Sequence, residues 1–115
     1  LAGDAAHVNN PLGGMGMNGG VHDGVNIAKK LVQILNDKES EELLDLYNRQ
    51  RRPIAVEYVQ ANSIRNKKIM EEKDPKVRRQ RQDEIRAVRD NAEKSFELMM
   101  QVSMINSINK SNATV

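Results

Sequence analysis

Gly3-Asp4-Ala5-Ala6-His7-Val8-Asn9-Asn10-Pro11-Leu12-Gly13-Gly14-Met15-Gly16-Met17-Asn18, near the start of a 115-residue chain, decides how the rest of the sequence reads. All seven glycines of the chain fall between Gly3 and Gly24. Glycine reaches positive φ cheaply and admits a ligand close to the backbone, but costs roughly 0.5–1 kcal/mol inside a regular helix. The cluster therefore implies a ligand-facing loop. Leu1-Ala2-Gly3-Asp4 reads as the end of a short buried strand that turns at Gly3 and presents the Asp4 carboxylate. Asn10-Pro11 sets a turn, because proline fixes φ and pushes the preceding residue out of helical geometry. Val21, Val25, Ala28, Val32 and Leu35 then recur at helical spacing, which predicts a helix from near Asn18.

A glycine-rich loop feeding a helix N-terminus is a place for negative charge, since the first backbone N–H groups are free and the helix dipole points its positive end there. No Lys or Arg precedes Lys29. An anion held here relies on backbone donors and the dipole alone. That suits a delocalised or transient charge better than a triphosphate, for which a lysine is the usual solution.

These residues resemble the second flavin-binding motif of the FAD-dependent aromatic hydroxylases, the group similar to para-hydroxybenzoate hydroxylase, with the pattern GDAAHxxxPxxGxGxN followed by a helix. Gly3-Asp4-Ala5-Ala6-His7, Pro11, Gly13, Gly14, Gly16 and Asn18 fill every fixed position, and Asp23-Gly24-Val25-Asn26-Ile27-Ala28 continues it. The resemblance implies that Asp4 accepts hydrogen bonds from the ribityl hydroxyls of FAD, as an acceptor-only side chain can. It implies that Pro11, Gly13, Gly14, Met15, Gly16, Met17 and Asn18 also contact flavin. In that arrangement the N–H groups of Gly16, Met17 and Asn18 face the pyrimidine end of the isoalloxazine, and Pro11 shapes the wall towards the substrate. The implied activity is a monooxygenase: flavin reduced by NADH or NADPH passes one oxygen atom of O2 to an aromatic ring. Flavoproteins that halogenate or reduce prenyl chains share a Gly-Asp motif of this general kind and are the nearest alternatives.

Other motifs are weaker. Gly14-Met15-Gly16-Met17-Asn18-Gly19 formally matches the dinucleotide fingerprint GxGxxG, but Pro11 interrupts the strand that should precede it and no second strand follows. His7, His22, Asp4 and Asp23 lack the compact ligand spacing of a zinc site, and there is no cysteine. His7 is expected to pack in the loop, and His22 to cap or solvate the first helical turn. No serine sits in a nucleophile-elbow context, so neither a catalytic residue nor a metal is assigned.

The remainder reads as helical support. With 38% hydrophobic and 30% charged residues, one Phe and no Trp, the core is thin for this length. The expected fold is mainly α: the C-terminal helical part of an α/β, Rossmann-like FAD-binding fold. Residues 1–36 would close the FAD-binding domain and 37–115 would form a helical region, with the N-terminal part of the same enzyme upstream. Asp37-Lys38-Glu39-Ser40 is a polar link, and Ser40-Glu41-Glu42 a helix start. Pro53 predicts a kink or break, and Asp74-Pro75 a second break with a new helix. Tyr47-Asn48-Arg49-Gln50-Arg51-Arg52-Pro53 resembles the usual sequence after the flavin helix in this family. Lys76 to Asp90 reads as a mostly solvated helix or a mobile segment, Phe96 to Ile108 as one apolar helix, and Asn109 to Val115 as a fraying tail.

The first 24 residues carry only Asp4 and Asp23, so the rest holds 18 basic against 14 acidic groups. Arg49-Arg51-Arg52, Arg65-Lys67-Lys68 and Arg78-Arg79-Arg81 would suit nucleic-acid phosphates, yet acids interleave and few aromatics are available to stack. A solvated helix face is the preferred reading, with no nucleic acid as partner. No apolar run approaches the ~20 residues of a membrane span. Lack of cysteine fits the cytoplasm, and a homodimer through exposed apolar helices stays open.

Overall fold

A computed structural model describes residues 1–115 as an all-helical chain. Short 3₁₀ turns at Gly3–Ala5 and Pro11–Gly13 precede α1 (Gly16–Asn36), α2 (Glu42–Ile54), a π-helical segment (Ala55–Gln60) and α3 (Ala61–Glu71). α4 (Pro75–Arg89), α5 (Ala92–Val102) and α6 (Ile105–Ala113) complete it. Leu1 is exposed and Gly3 opens a 3₁₀ turn, so the strand expected at Leu1–Asp4 is not formed. A strand needs a neighbour to satisfy its backbone, and no other strand exists in the chain.

Local chemistry places most boundaries. The Asn10 side chain accepts from the Leu12 N–H at 3.0 Å and Pro11 occupies the first position of its turn. Ser40 Oγ accepts from the Glu42 N–H at the entry to α2, and Asp74 Oδ1 from the Lys76 N–H at 2.8 Å before Pro75. Pro53 does not break its helix. It denies Arg49 a donor, and the helical path continues through wider π turns over Ala55–Gln60 before resuming as α3. The expected single apolar helix Phe96–Ile108 is instead split: Met104 adopts φ 63° between α5 and α6 and buries its side chain against Met15 and Val59. The expected fraying tail is helical to Ala113 and docked, with Ser111 buried and Gln50 Nε2 donating to the Thr114 carbonyl at 2.7 Å.

Only 14 of 115 residues are buried, and five of the buried side chains are apolar: Met15, Ile54, Ala55, Val59 and Met104. The radius of gyration is 17.5 Å, against about 13 Å for a compact chain of this length. Polar contacts take up part of the task. Lys30 Nζ donates to Asn26 Oδ1 at 2.7 Å and to Gln50 Oε1 at 2.8 Å, which ties α1 to α2 and, through Gln50, to the C-terminus. Meanwhile Val21, Val25, Val32 and Leu35 leave an apolar stripe of α1 exposed.

Glycines of α1 divide by what they touch. A Cβ on Gly20 would meet Gly3 Cα at 3.3 Å, whereas one on Gly24 would meet nothing within 4 Å. Gly24→Ala should therefore raise stability by about 0.5–1 kcal/mol through helix propensity, and Gly20→Ala should lower it. Urea denaturation of the two variants reads the opposite signs.

Burial first, and the Lys29 charge second, lower the Lys30 pKa from its ordinary 10.5. The unfolded chain then keeps the Lys30 proton to higher pH than the folded one. Stability should rise as pH climbs from the folded pKa towards 10.5, with the full penalty of the buried charge present below that window. Burial raises Tyr47, whose contribution runs the other way above 10.0. Comparing the urea midpoints of Lys30→Met and the parent chain at neutral pH and near pH ~10 isolates the lysine: the gain should be missing from the variant.

Candidate functional site: a glycine-rich loop on the N-terminus of α1

Asp23 organises the loop. It lies two turns into α1, on the same face as Gly16, Gly19 and Gly20, and is 1% exposed. Its Oδ2 accepts from the Gly3 N–H at 3.1 Å and contacts His7 Nε2 at 2.7 Å, and its Oδ1 accepts from Arg51 Nε at 2.7 Å. A carboxylate only accepts, so the His7 proton sits on Nε2, leaving Nδ1 to face Asn9 Nδ2 at 3.4 Å. Arg51, 5% exposed, also reaches the Gly19 carbonyl. Three separate stretches of chain thus meet on one buried anion.

The Pro11–Gly13 turn is held from the other side. Ser63 Oγ donates to the Asn10 carbonyl at 3.3 Å and Asn66 Nδ2 to the Leu12 carbonyl at 2.8 Å. A Cβ on Gly13 would lie 2.6 Å from Ser63 Oγ, and Gly3 has φ +58° beside Gly20. Both glycines allow chain segments to pack closely. Gly14, at φ +65°, faces open space and is the one loop glycine whose strained conformation serves the turn alone.

Asp4, Pro11, Gly14, Met17 and Asn18 are exposed, Gly13 and Gly16 are half-buried, and Met15 is buried. Gly3 docks on Gly20, one turn along α1 from Gly16, and Asp4 follows Gly3 at the surface. The side chain of Met15 packs on Val59 and Met104 and its sulfur receives the Asn62 amide at 3.3 Å, so it offers a ligand only backbone. The N–H of Gly19 bonds to the Met15 carbonyl, and no group of the chain accepts from the N–H groups of Gly16, Met17 or Asn18. With no cation nearby in sequence, these three donors and the dipole form an open receptor for an electron-rich edge.

Residues 1–62 match the family described as FAD binding domain. The chain belongs to this family. Its relatives include the para-nitrophenol 4-monooxygenase of Pseudomonas sp. (strain WBC-3), 40% identical over 78 residues, which is 68% of this chain and 19% of that protein. The tetracenomycin B2 monooxygenase-dioxygenase of Streptomyces olivaceus is 49% identical over 57 residues, 50% of this chain and 11% of the relative. The pentachlorophenol 4-monooxygenase of Sphingobium chlorophenolicum is 37% identical over 70 residues, 61% and 13% respectively. The chain therefore spans between a tenth and a fifth of the length of these curated relatives. No solved structure matches it.

The residues fit part of an FAD site: three donors without partners, an exposed carboxylate in the same loop, and glycine where the chain must pass closely. The sequence pattern located all of these groups but missed Asp23 and Arg51 as their scaffold. The expectation that His7 packs in the loop holds, with the added contact to Asp23, while His22 lies in the second turn of α1, half-buried. Arg51, read with Arg49 and Arg52 as a basic cluster, is committed internally. No helix is long and apolar enough to cross a membrane.

Asp23→Asn leaves Arg51 buried without its counter-charge and should cost about 3 kcal/mol or more. Asp4→Asn, exposed and unpaired, should stay within about 0.5 kcal/mol of the parent chain. Both are read from urea denaturation midpoints at neutral pH.

Proposed function

We propose that this chain is the flavin-contacting part of an FAD-dependent, NAD(P)H-reduced monooxygenase that hydroxylates an aromatic substrate with O2. The observation that carries the reading is the set of unshared N–H groups on Gly16, Met17 and Asn18, placed at the positive end of α1. Family membership and relatives whose names are those of monooxygenases support it. Bound FAD would supply the electron carrier between the nicotinamide and oxygen.

The chain's own residues would bind and orient that cofactor. The three N–H groups would donate to the pyrimidine edge of the isoalloxazine, where negative charge accumulates on reduction, and the helix dipole would favour that charge by typically ~0.3–1 kcal/mol. Asp4 would accept from ribityl hydroxyls, and Pro11 with Gly13 and Gly14 would set the wall towards the aromatic ring. Met15 would act through its backbone. No proton-transferring residue is assigned within the chain. The strands of a Rossmann-like parent fold and the nicotinamide site would come from outside these residues, and the exposed stripe Val21, Val25, Val32 and Leu35 is suited to pack against them. The cytoplasm, with its NAD(P)H pool, is the matching compartment.

In the full-length protein, Asp4→Ala should weaken FAD retention by roughly tenfold, the scale of one lost hydrogen bond to a charged group, with the helical circular dichroism unchanged. Flavin absorbance after gel filtration measures it. Undiminished retention would remove Asp4 from the site.

A further inference from the structure

A second cavity lies away from the loop, between α3, α4 and α5, in residues 65–99 and outside the family match. It has a volume of ≈ 670 Å³, within the range of small-molecule pockets. Ile69, Ile85, Leu98 and Met99 line it and are all substantially exposed to solvent. Four cations border it, Arg65, Lys68, Arg81 and Arg89, against the single acid Glu84.

Two of these cations are engaged elsewhere. Arg65 Nη2 donates to Asn62 Oδ1, and Arg89 is bidentate on Asp90. Lys68 and Arg81 make no ion pair. Nη1 of Arg81 is moreover buried from solvent with no hydrogen-bond partner. A guanidinium nitrogen so placed is costly unless an acceptor arrives, because its hydration is lost and nothing replaces it. Exposed apolar walls beside unspent positive charge call for a ligand with both characters.

We propose that this cavity binds an amphipathic carboxylate, a small molecule whose anionic head meets Arg81 and Lys68 and whose apolar tail covers Ile85, Leu98 and Met99. The sequence clusters Arg65-Lys67-Lys68 and Arg78-Arg79-Arg81 are then not one phosphate-binding stripe. Arg65 and Lys68 of the first and Arg81 of the second border a shared groove, and Lys67, Arg78 and Arg79 are exposed.

The test is a titration of the 115-residue chain with sodium octanoate, followed by methyl NMR of the isoleucines and methionines. Octan-1-ol and sodium acetate serve as the neutral and tail-less controls. Octanoate should shift Ile69, Ile85 and Met99, with acetate inert and octanol at least roughly tenfold weaker. Arg81→Met should weaken octanoate by a similar factor and leave octanol unchanged. Lys68→Met, at an exposed position that the fold does not use, carries the same expectation should the Arg81 variant misfold. Equal binding of octanol would reduce the cavity to an apolar patch, and equal binding of acetate to a general anion contact. Shifts confined to Ile27 and Met17 on α1, or octanoate affinity unchanged in both variants, would overturn the proposal.

Discussion

One buried carboxylate holds the first half of this protein in register. Asp23 is reached by Gly3 and His7 from the loop and by Arg51 from α2, and each of these groups would otherwise lack a partner in a nearly dry position. Burying an ion pair gains little net stability over an apolar substitute, but breaking one is costly. Its consequence is therefore geometric. The loop sits in one register on α1, because a slide of Gly3 along the helix leaves its buried N–H without an acceptor. The close approach of Gly3 to Gly20 is the steric half of the same lock.

That economy explains how so extended a chain keeps a defined shape with a small apolar core. Met15, Val59 and Met104 join the loop, the π segment and the α5–α6 corner at one point. Elsewhere the contacts are polar and long-range: Lys30 to Gln50, Gln50 to Thr114, Ser63 and Asn66 to the loop carbonyls. Polar bonds of this kind fix orientation without needing large apolar area. Val21, Val25, Val32 and Leu35 of α1 remain exposed outside this scheme.

Much of this was legible in the sequence where a local rule governs. Proline and Asx geometry marked the turns at Pro11 and Pro75, side-chain oxygens marked the entries to α2 and α4, and the spaced glycines marked the loop that leads into α1. What stayed hidden depends on partners far apart in the chain. Arg51 read as one basic residue among three because nothing local says that it points inward. Asp23 read only as a continuation of the motif because its three donors lie 16 to 28 residues away. Leu1 to Asp4 carried strand-like residues, but pairing decides a strand and these residues find none. The corner at Met104 was invisible for a similar reason. A methionine in the left-handed region is tolerated there because its side chain is gripped by Met15 and Val59, a tertiary effect no window of sequence contains.

The π segment after Pro53 has a consequence for the length of the chain. A π turn accommodates one residue more than an α turn, so Ala55–Gln60 behaves as an α-helix with a residue inserted and absorbed locally. Upstream, Arg51 and Ile54 face α1; downstream, Asn62 and Ser63 face the loop, and both sets keep their phase because the surplus is confined between them. Homologous helices one residue shorter at this place would present the same faces on both sides. Elsewhere along α1 to α3, losing a residue rotates everything beyond it by about 100° and turns buried groups out to water. The π segment is thus a place in the α2–α3 helical path at which one residue can be lost while the loop packed against it stays in place.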